Sequence, residues 1–514
     1  MLGVFKRLQS STMVRVFRED ELLRWSFLLA FLLSCLPMAF TSMLPLTDLG
    51  SHMGFAGLMN DVLTPGTVAS DRYAINPVPV PYWPAYLVIN FVEMIAGIFV
   101  AGKVIVALAL AGIPLGVMRL LVALERSPRL GLVAFLVVWD INLYWGWVTF
   151  QFAMPFVLWA FAWLVEAKTF KAALAICALA AVVGLSHPHA IMWLVAGAFA
   201  LIPVTEQPLR AAMRTVIALS GLCVLLPWFL IRVLFPAGGV KGAPITFTSP
   251  NFEERLSRFY DYSIGVFTER PAIVASVLTL VLLVVGPMLI SMLERLPVSG
   301  RSTLKAIALL MATSGLYFLL PYEIHGNVYH FWTFPRFSTW ILIMAFVVPA
   351  PVLTHRRMLA LVPVGVALLV LTAFRVVQFR SYGDHVKPYL EMMAEIPKDS
   401  RVAPLDVDFH FPGFRQPTLG QIHGYLAAER RAYDPHLFDH SSSPVVYRKE
   451  GRPPDPDFHH PENFKLESVG RHYDYVVLHP STNLSLEPLV GNGLELVKVA
   501  GAWRLYKVTA PQPR

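Results

Sequence analysis

Asp48 is the first residue whose type and place suggest chemistry. The run Leu44-Pro45-Leu46-Thr47-Asp48-Leu49-Gly50-Ser51-His52 sets a carboxylate a few residues beyond a long apolar stretch, where a general base would meet a hydroxyl at a membrane edge. Asp also commonly caps a helix, here one beginning near Leu49; the sequence supports both roles, and one residue can fill both. His52 lies four residues further on, so on a helix it shares a face with Asp48 and is in reach of a hydrogen bond to it. A histidine reaching toward the headgroup layer is the plainer reading.

A second group is Trp139-Asp140-Ile141-Asn142-Leu143-Tyr144-Trp145-Gly146-Trp147, followed by Gln151. Aromatic belts at a bilayer surface account for the tryptophans, but a charge at Asp140 needs a partner or water. Asp140 joins Asp48 and His52 as a candidate catalytic residue, and Asn142, Tyr144, Trp145, Trp147, Gln151 and Tyr329 are candidate substrate contacts, since Tyr and Trp faces suit sugar rings and isoprenoid tails. His187, His189, His330, Arg336 and Arg72 are the candidates for an anionic group, Arg offering a planar fork to phosphate oxygens. Anchoring to acidic lipid headgroups explains His330 and Arg336 as well. Ser186-His187-Pro188-His189 has a zinc-like look, but two histidines at i and i+2 point different ways on a helix, so they read as helix-boundary residues that bind phosphate or orient a carboxylate, with metal ligation the lesser alternative.

The elements that position these residues are apolar. Hydrophobic residues make up 56% of the 514 and charged residues 15%, with mean hydropathy +0.57, which excludes an ordinary soluble protein. Since about 20 apolar residues of helix cross a bilayer, about eleven spans are expected, at 25–44, 100–124, 130–149, 152–166, 171–186, 188–204, 214–235, 271–293, 304–321, 336–353 and 358–377. Lys and Arg gather in alternate loops, around Arg126/Arg129, Lys168/Lys171, Arg210/Arg214, Arg295/Arg301/Lys305 and Arg356/Arg357. By the positive-inside rule those loops and the segment 1–24 are cytoplasmic. The expectation is therefore a multi-pass protein of the inner (plasma) membrane: a transmembrane domain over 25–377 with extracytoplasmic loops at 45–99, 236–270 and 322–335, and an extracytoplasmic soluble domain over 378–514. The net charge of +8 is largely this topological signal, and no nucleic-acid partner is needed. The first span lacks the features of a cleaved signal peptide and reads as an uncleaved anchor.

From Gln378 the composition turns polar. Alternation in Tyr473–Leu478, Leu494–Val499 and Gly501–Val508 predicts strands of a small mixed sheet, the last two a hairpin, and the proline-rich stretch 434–462 predicts a long loop. Asp406-Val407-Asp408-Phe409-His410 and His459-His460 allow a metal reading, though a strand end and a tail loop explain them as well. The cysteines, Cys35, Cys177 and Cys223, all fall in predicted spans, so no disulfide framework or Cys-based zinc site is expected in the tail. No G-x-x-x-x-G-K-[ST], G-x-G-x-x-G or H-E-x-x-H motif occurs, removing nucleotide-driven transport and the commonest metallopeptidase arrangement.

A first span followed at once by an acid-bearing loop, about ten more spans and a small outer α/β domain resembles the GT-C class of membrane glycosyltransferases. The local matches are Pro45 to His52, Asn142 to Gln151, Ser186 to His189, His330 to Arg336, and the Tyr-Asp-Tyr-Val-Val strand ahead of Gly-Ala-Trp-Arg-Leu-Tyr. The resemblance implies a polyprenyl-phosphate-sugar donor, a lipid, glycan or protein acceptor, and Asp48 as the carboxylate that draws the acceptor's proton. It departs from the best-marked members in having a lone acid at the membrane edge and no W-W-D-x-G signature, which leaves a divalent metal open and argues against protein N-glycosylation. A membrane-embedded O-acyltransferase using His187, and a lipid or polysaccharide transporter, are the alternatives from other classes.

Overall fold

The computed structural model describes residues 12–167, 169–234, 246–325, 330–406, 408–437, 443–448, 453–457, 460–479 and 484–510. It is mostly helical, and among the described residues seven helices are long and apolar enough to cross a membrane: Glu21–Phe40, Ile98–Ala123, Val148–Glu166, Pro208–Ile231, Arg270–Ser291, Gly300–Leu319 and Arg356–Met393. Four shorter apolar helices accompany them, Trp83–Ala96, Phe170–Ser186, Pro188–Leu201 and Pro335–Val347. The chain forms two compact units, one of residues 1–36, 106–143 and 148–374, the other of 37–105, 144–147 and 375–514.

In the first unit, Val148–Glu166 is an enclosed helix, with 67% of its apolar window buried, whereas Pro208–Ile231 is peripheral at 22%. The Arg119 guanidinium, almost fully buried, donates from Nη1 to Glu166 Oε1 at 2.8 Å, so the charge is neutralised where burial would otherwise make it costly. The stretch 130–149, expected to span, is not one helix: it is a 3₁₀ segment, Pro128–Leu136, then a short helix, Ile141–Tyr144. The break is chemical. Asp140 Oδ1 accepts the Leu143 backbone N–H at 3.0 Å, starting a new turn, and Gly146 at φ 79° ends it. Conversely, Trp83–Ala96 is a helix within the expected loop 45–99.

In the second unit, the tail sheet has the order Val402–Asp406, Tyr475–His479, Trp503–Val508, Leu494–Ala500. Its first two strands are parallel and the rest antiparallel, so the expected mixed sheet with a terminal hairpin is present. Its core centres on Trp503, fully buried, 4.6 Å between ring centroids from Tyr389 and 4.2 Å from His479. The proline-rich stretch is not wholly loop: Val445–Tyr447 pairs antiparallel with Tyr73–Ile75 of the first loop.

Helix Leu49–Leu63, which starts at Asp48, packs on tail helix Gly424–Arg430 along Gly50, Gly54 and Gly57. This is the close approach that small residues permit. A Cβ at Gly50 would lie 1.8 Å from the Gln421 carbonyl oxygen, and one at Gly424 would lie 2.2 Å from the Gly50 carbonyl oxygen. Because both obstacles are backbone, Gly50→Ala is expected to destabilise this unit by about 1–3 kcal/mol, the cost of overpacking. Increased cleavage of the tail in limited proteolysis of purified protein would show it; wild-type resistance would refute the account.

Candidate functional site

Asp48 stands at the N-cap position of Leu49–Leu63, yet its side chain makes no capping hydrogen bond. Its Oδ2 instead accepts the indole N–H of Trp147 at 3.1 Å. Backbone geometry arranges this: Thr47 N donates to Tyr144 O and Asp48 N to Trp145 O, both at 3.0 Å, so segment 144–147 runs along the start of the helix. A Cβ at Gly146 would lie 2.4 Å from the Asp48 nitrogen, and its positive φ is one that glycine adopts without cost. The same turn lets two indoles only two residues apart face each other. Trp145 and Trp147 stack with centroids 5.7 Å apart and planes 7° from parallel. Asp48 and Trp145 are half-buried, leaving a carboxylate beside a flat aromatic surface.

The other candidates of this unit are more enclosed. His52 is buried, its Nδ1 3.1 Å from the Tyr86 hydroxyl and its ring edge-on to Tyr82 and Tyr86; Tyr82 and Tyr86 are neighbours the sequence reading missed. Tyr144 is fully buried against Phe414. Arg72 lies at the end of the paired strands, its carbonyl accepting Arg448 N–H at 2.8 Å and its guanidinium 6.0 Å from the Tyr433 ring centroid. Burial lowers its pKa.

The first unit holds a separate group. Asp140 is fully buried and accepts from Asn142 Nδ2 and Gln151 Nε2, each at 2.6 Å. Both amides expected to contact substrate thus direct their N–H groups at this carboxylate. Asn142 also donates to the Arg336 carbonyl at 3.2 Å. Gln151 belongs to Val148–Glu166, as does Phe150, whose ring has the Arg336 guanidinium 5.8 Å and the His187 ring 5.3 Å from its centroid.

His187 is the N-cap of Pro188–Leu201, and its extended backbone lets its Nδ1 accept the His189 N–H at 3.1 Å. The two histidines therefore do not diverge as they would on one helix: their centroids are 5.2 Å apart, and His189 lies 5.4 Å from His330. Both ring nitrogens of His189 are buried without a hydrogen-bond partner among the described residues, and Arg336 is within electrostatic reach of it. Three imidazoles and a guanidinium at a helix N-terminus form an arrangement that favours an anion. Tyr329 and His459 lie outside the described residues. Among the described residues no group of three His, Cys, Asp or Glu side chains is arranged to hold a metal.

The chain matches no family model, and a search of curated proteins returns no match. Fold and composition define its class: a helical membrane protein with, among the described residues, seven helices long and apolar enough to cross a bilayer and a small sheet region toward the C-terminus.

Proposed function

We propose that the chain is a GT-C-like glycosyltransferase that moves a sugar from a polyprenyl-phosphate-linked donor to a lipid, glycan or protein acceptor on the outer face of the inner membrane. The observation that carries this reading is the half-buried Asp48 carboxylate held by the Trp147 indole beside the stacked Trp145 and Trp147. Asp48 takes the acceptor hydroxyl's proton, the acceptor oxygen bonds to the sugar's anomeric carbon, and the bond from that carbon to the phosphate oxygen breaks. The indole N–H fixes the carboxylate's direction, and the aromatic faces receive the apolar side of a sugar ring or the carrier tail. Within the first unit, Arg336, His330, His187 and His189 are the groups suited to an anion such as a phosphate. The N-terminus is read as cytoplasmic; the eleven spans expected from the sequence then put the basic loops inside and the tail outside.

The test is a transfer assay with the full chain in liposomes, labelled polyprenyl-phosphate sugars and a lipid extract. Label entering a new product supports the reading, and no transfer from any donor overturns it. In the same assay, Trp145→Ala is expected to raise the KM up to about tenfold, the worth of one aromatic contact, while kcat changes little. A loss confined to kcat would remove the platform role.

A further inference from the structure

Within the first unit, a groove of about 600 Å³ runs between Glu21–Cys35 and the start of Val362–Met393. Its floor is apolar: Leu22, Leu29 and Leu33 face Leu361, Gly365 and Leu368. The volume is that of a small-ligand pocket, about 300–1,000 Å³. One end carries His355 and Arg356, both exposed.

The charges around that end are unevenly matched. Glu19 pairs with Arg15 at 2.7 Å and Glu21 with Arg24 at 3.2 Å. Asp20 takes both Arg129 Nε and Nη2, at 2.7 and 2.9 Å, and Glu294 takes Arg357 at 2.7 Å. Every one of these acids has a basic partner, whereas Arg356 has no acidic partner among the described residues. We propose that this groove holds one acyl chain of an anionic phospholipid whose phosphate is met by Arg356, while the neighbouring His355 faces Asp20. A zwitterionic lipid would set its own cation against that end, and an uncharged one would leave Arg356 unused. The basic end belongs to loops read as cytoplasmic, so the lipid comes from the inner leaflet, where a juxtamembrane cation attracts an anionic headgroup. The site is independent of the sugar-transfer reading, since none of its residues has a role there.

Gly365 makes the groove testable without unfolding the protein. A Cβ there meets nothing within 4 Å, and Leu is a better helix former than Gly, so Gly365→Leu occupies the groove and leaves the helix intact. Full-length protein in neutral detergent is titrated with phosphatidylglycerol or phosphatidylcholine of matched chains and read by native mass spectrometry. Wild type is expected to keep one phosphatidylglycerol in preference to phosphatidylcholine. Arg356→Gln should cut that preference by about fivefold, the effect of one surface cation, and Gly365→Leu should weaken retention of both lipids. Equal binding of the two lipids by wild type, or wild-type binding by both variants, overturns the proposal. Preferential retention of polyprenyl phosphate overturns the assignment to a phospholipid.

Discussion

Asp48→Asn is expected to lower sugar transfer by about 10²–10⁴-fold, the range for losing a general base, while the protein folds and inserts as before. The substitution suits this position. The amide oxygen still accepts the Trp147 N–H that Asp48 Oδ2 accepts at 3.1 Å, and no side-chain cap is lost because none is made. The helix start depends instead on the backbone bonds from Thr47 and Asp48 to Tyr144 and Trp145. What disappears is the ability to take a proton. The measurement is initial transfer rate across pH for both proteins, with thermal melting as the folding control. A variant retaining wild-type rate, or one whose loss is matched by a lower melting temperature, would remove Asp48 as the base. Asp48→Glu is a useful companion: it keeps the charge but moves it one methylene along, so partial activity there separates proton transfer from mere packing.

The apolar helices and the tail strands were legible because both rest on local signals. Arg270–Ser291 and Gly300–Leu319 are long and apolar, and Leu494–Ala500 and Trp503–Val508 alternate around a turn. Where the reading differed, a side chain had overruled hydropathy. At 130–149 the apolar content suffices for a span, but Asp140 caps a new turn and Gly146 reverses the chain. Trp83–Ala96, at 14 residues, is shorter than the length used to recognise a span. The union of the first loop with the tail was not legible at all, since pairing of Tyr73–Ile75 with Val445–Tyr447 and the glycine contacts of Gly50 with Gln421 are long-range. The site shows the same limit. Asp48 stood out by type and position, yet nothing in its local sequence said that its partner would be Trp147 and not its own helix. His187 and His189 were expected to diverge because both were placed on a helix; the backbone at His187, φ −165° and ψ 136°, brings them together.

The second unit contains the group most sensitive to substitution. His423, Asp434 and His436 are all buried; His423 Nδ1 lies 2.5 Å from Asp434 Oδ2, and Asp434 Oδ1 accepts the His436 backbone N–H at 2.9 Å. Tyr447, on the strand that pairs with the first loop, donates its hydroxyl to the Asp434 carbonyl, so one residue ties the helix Gly424–Arg430 region to that strand. Burial alone would raise the pKa of Asp434, but the charge and hydrogen bond of His423, with His436, hold it below the usual carboxylate range. Asp434→Ala is therefore expected to cost about 3–5 kcal/mol, the penalty for stranding one member of a buried pair. Replacing His423 and Asp434 together by Leu should cost less, because no uncompensated charge remains. Acid should act in the same direction. His436 is lowered to about 4 by burial and by His423, and His479 to about 4 by burial and by His385. Between about pH 6.5 and 4 the unfolded chain binds protons that these buried rings refuse, so stability present at neutral pH falls through that window, by up to about 1.4 kcal/mol per pH unit for each histidine. Thermal melting of the wild type and both variants at stepped pH reads both effects. A flat profile from pH 7 to 4, or a double variant as unstable as Asp434→Ala, would show that this buried group does not hold the unit together.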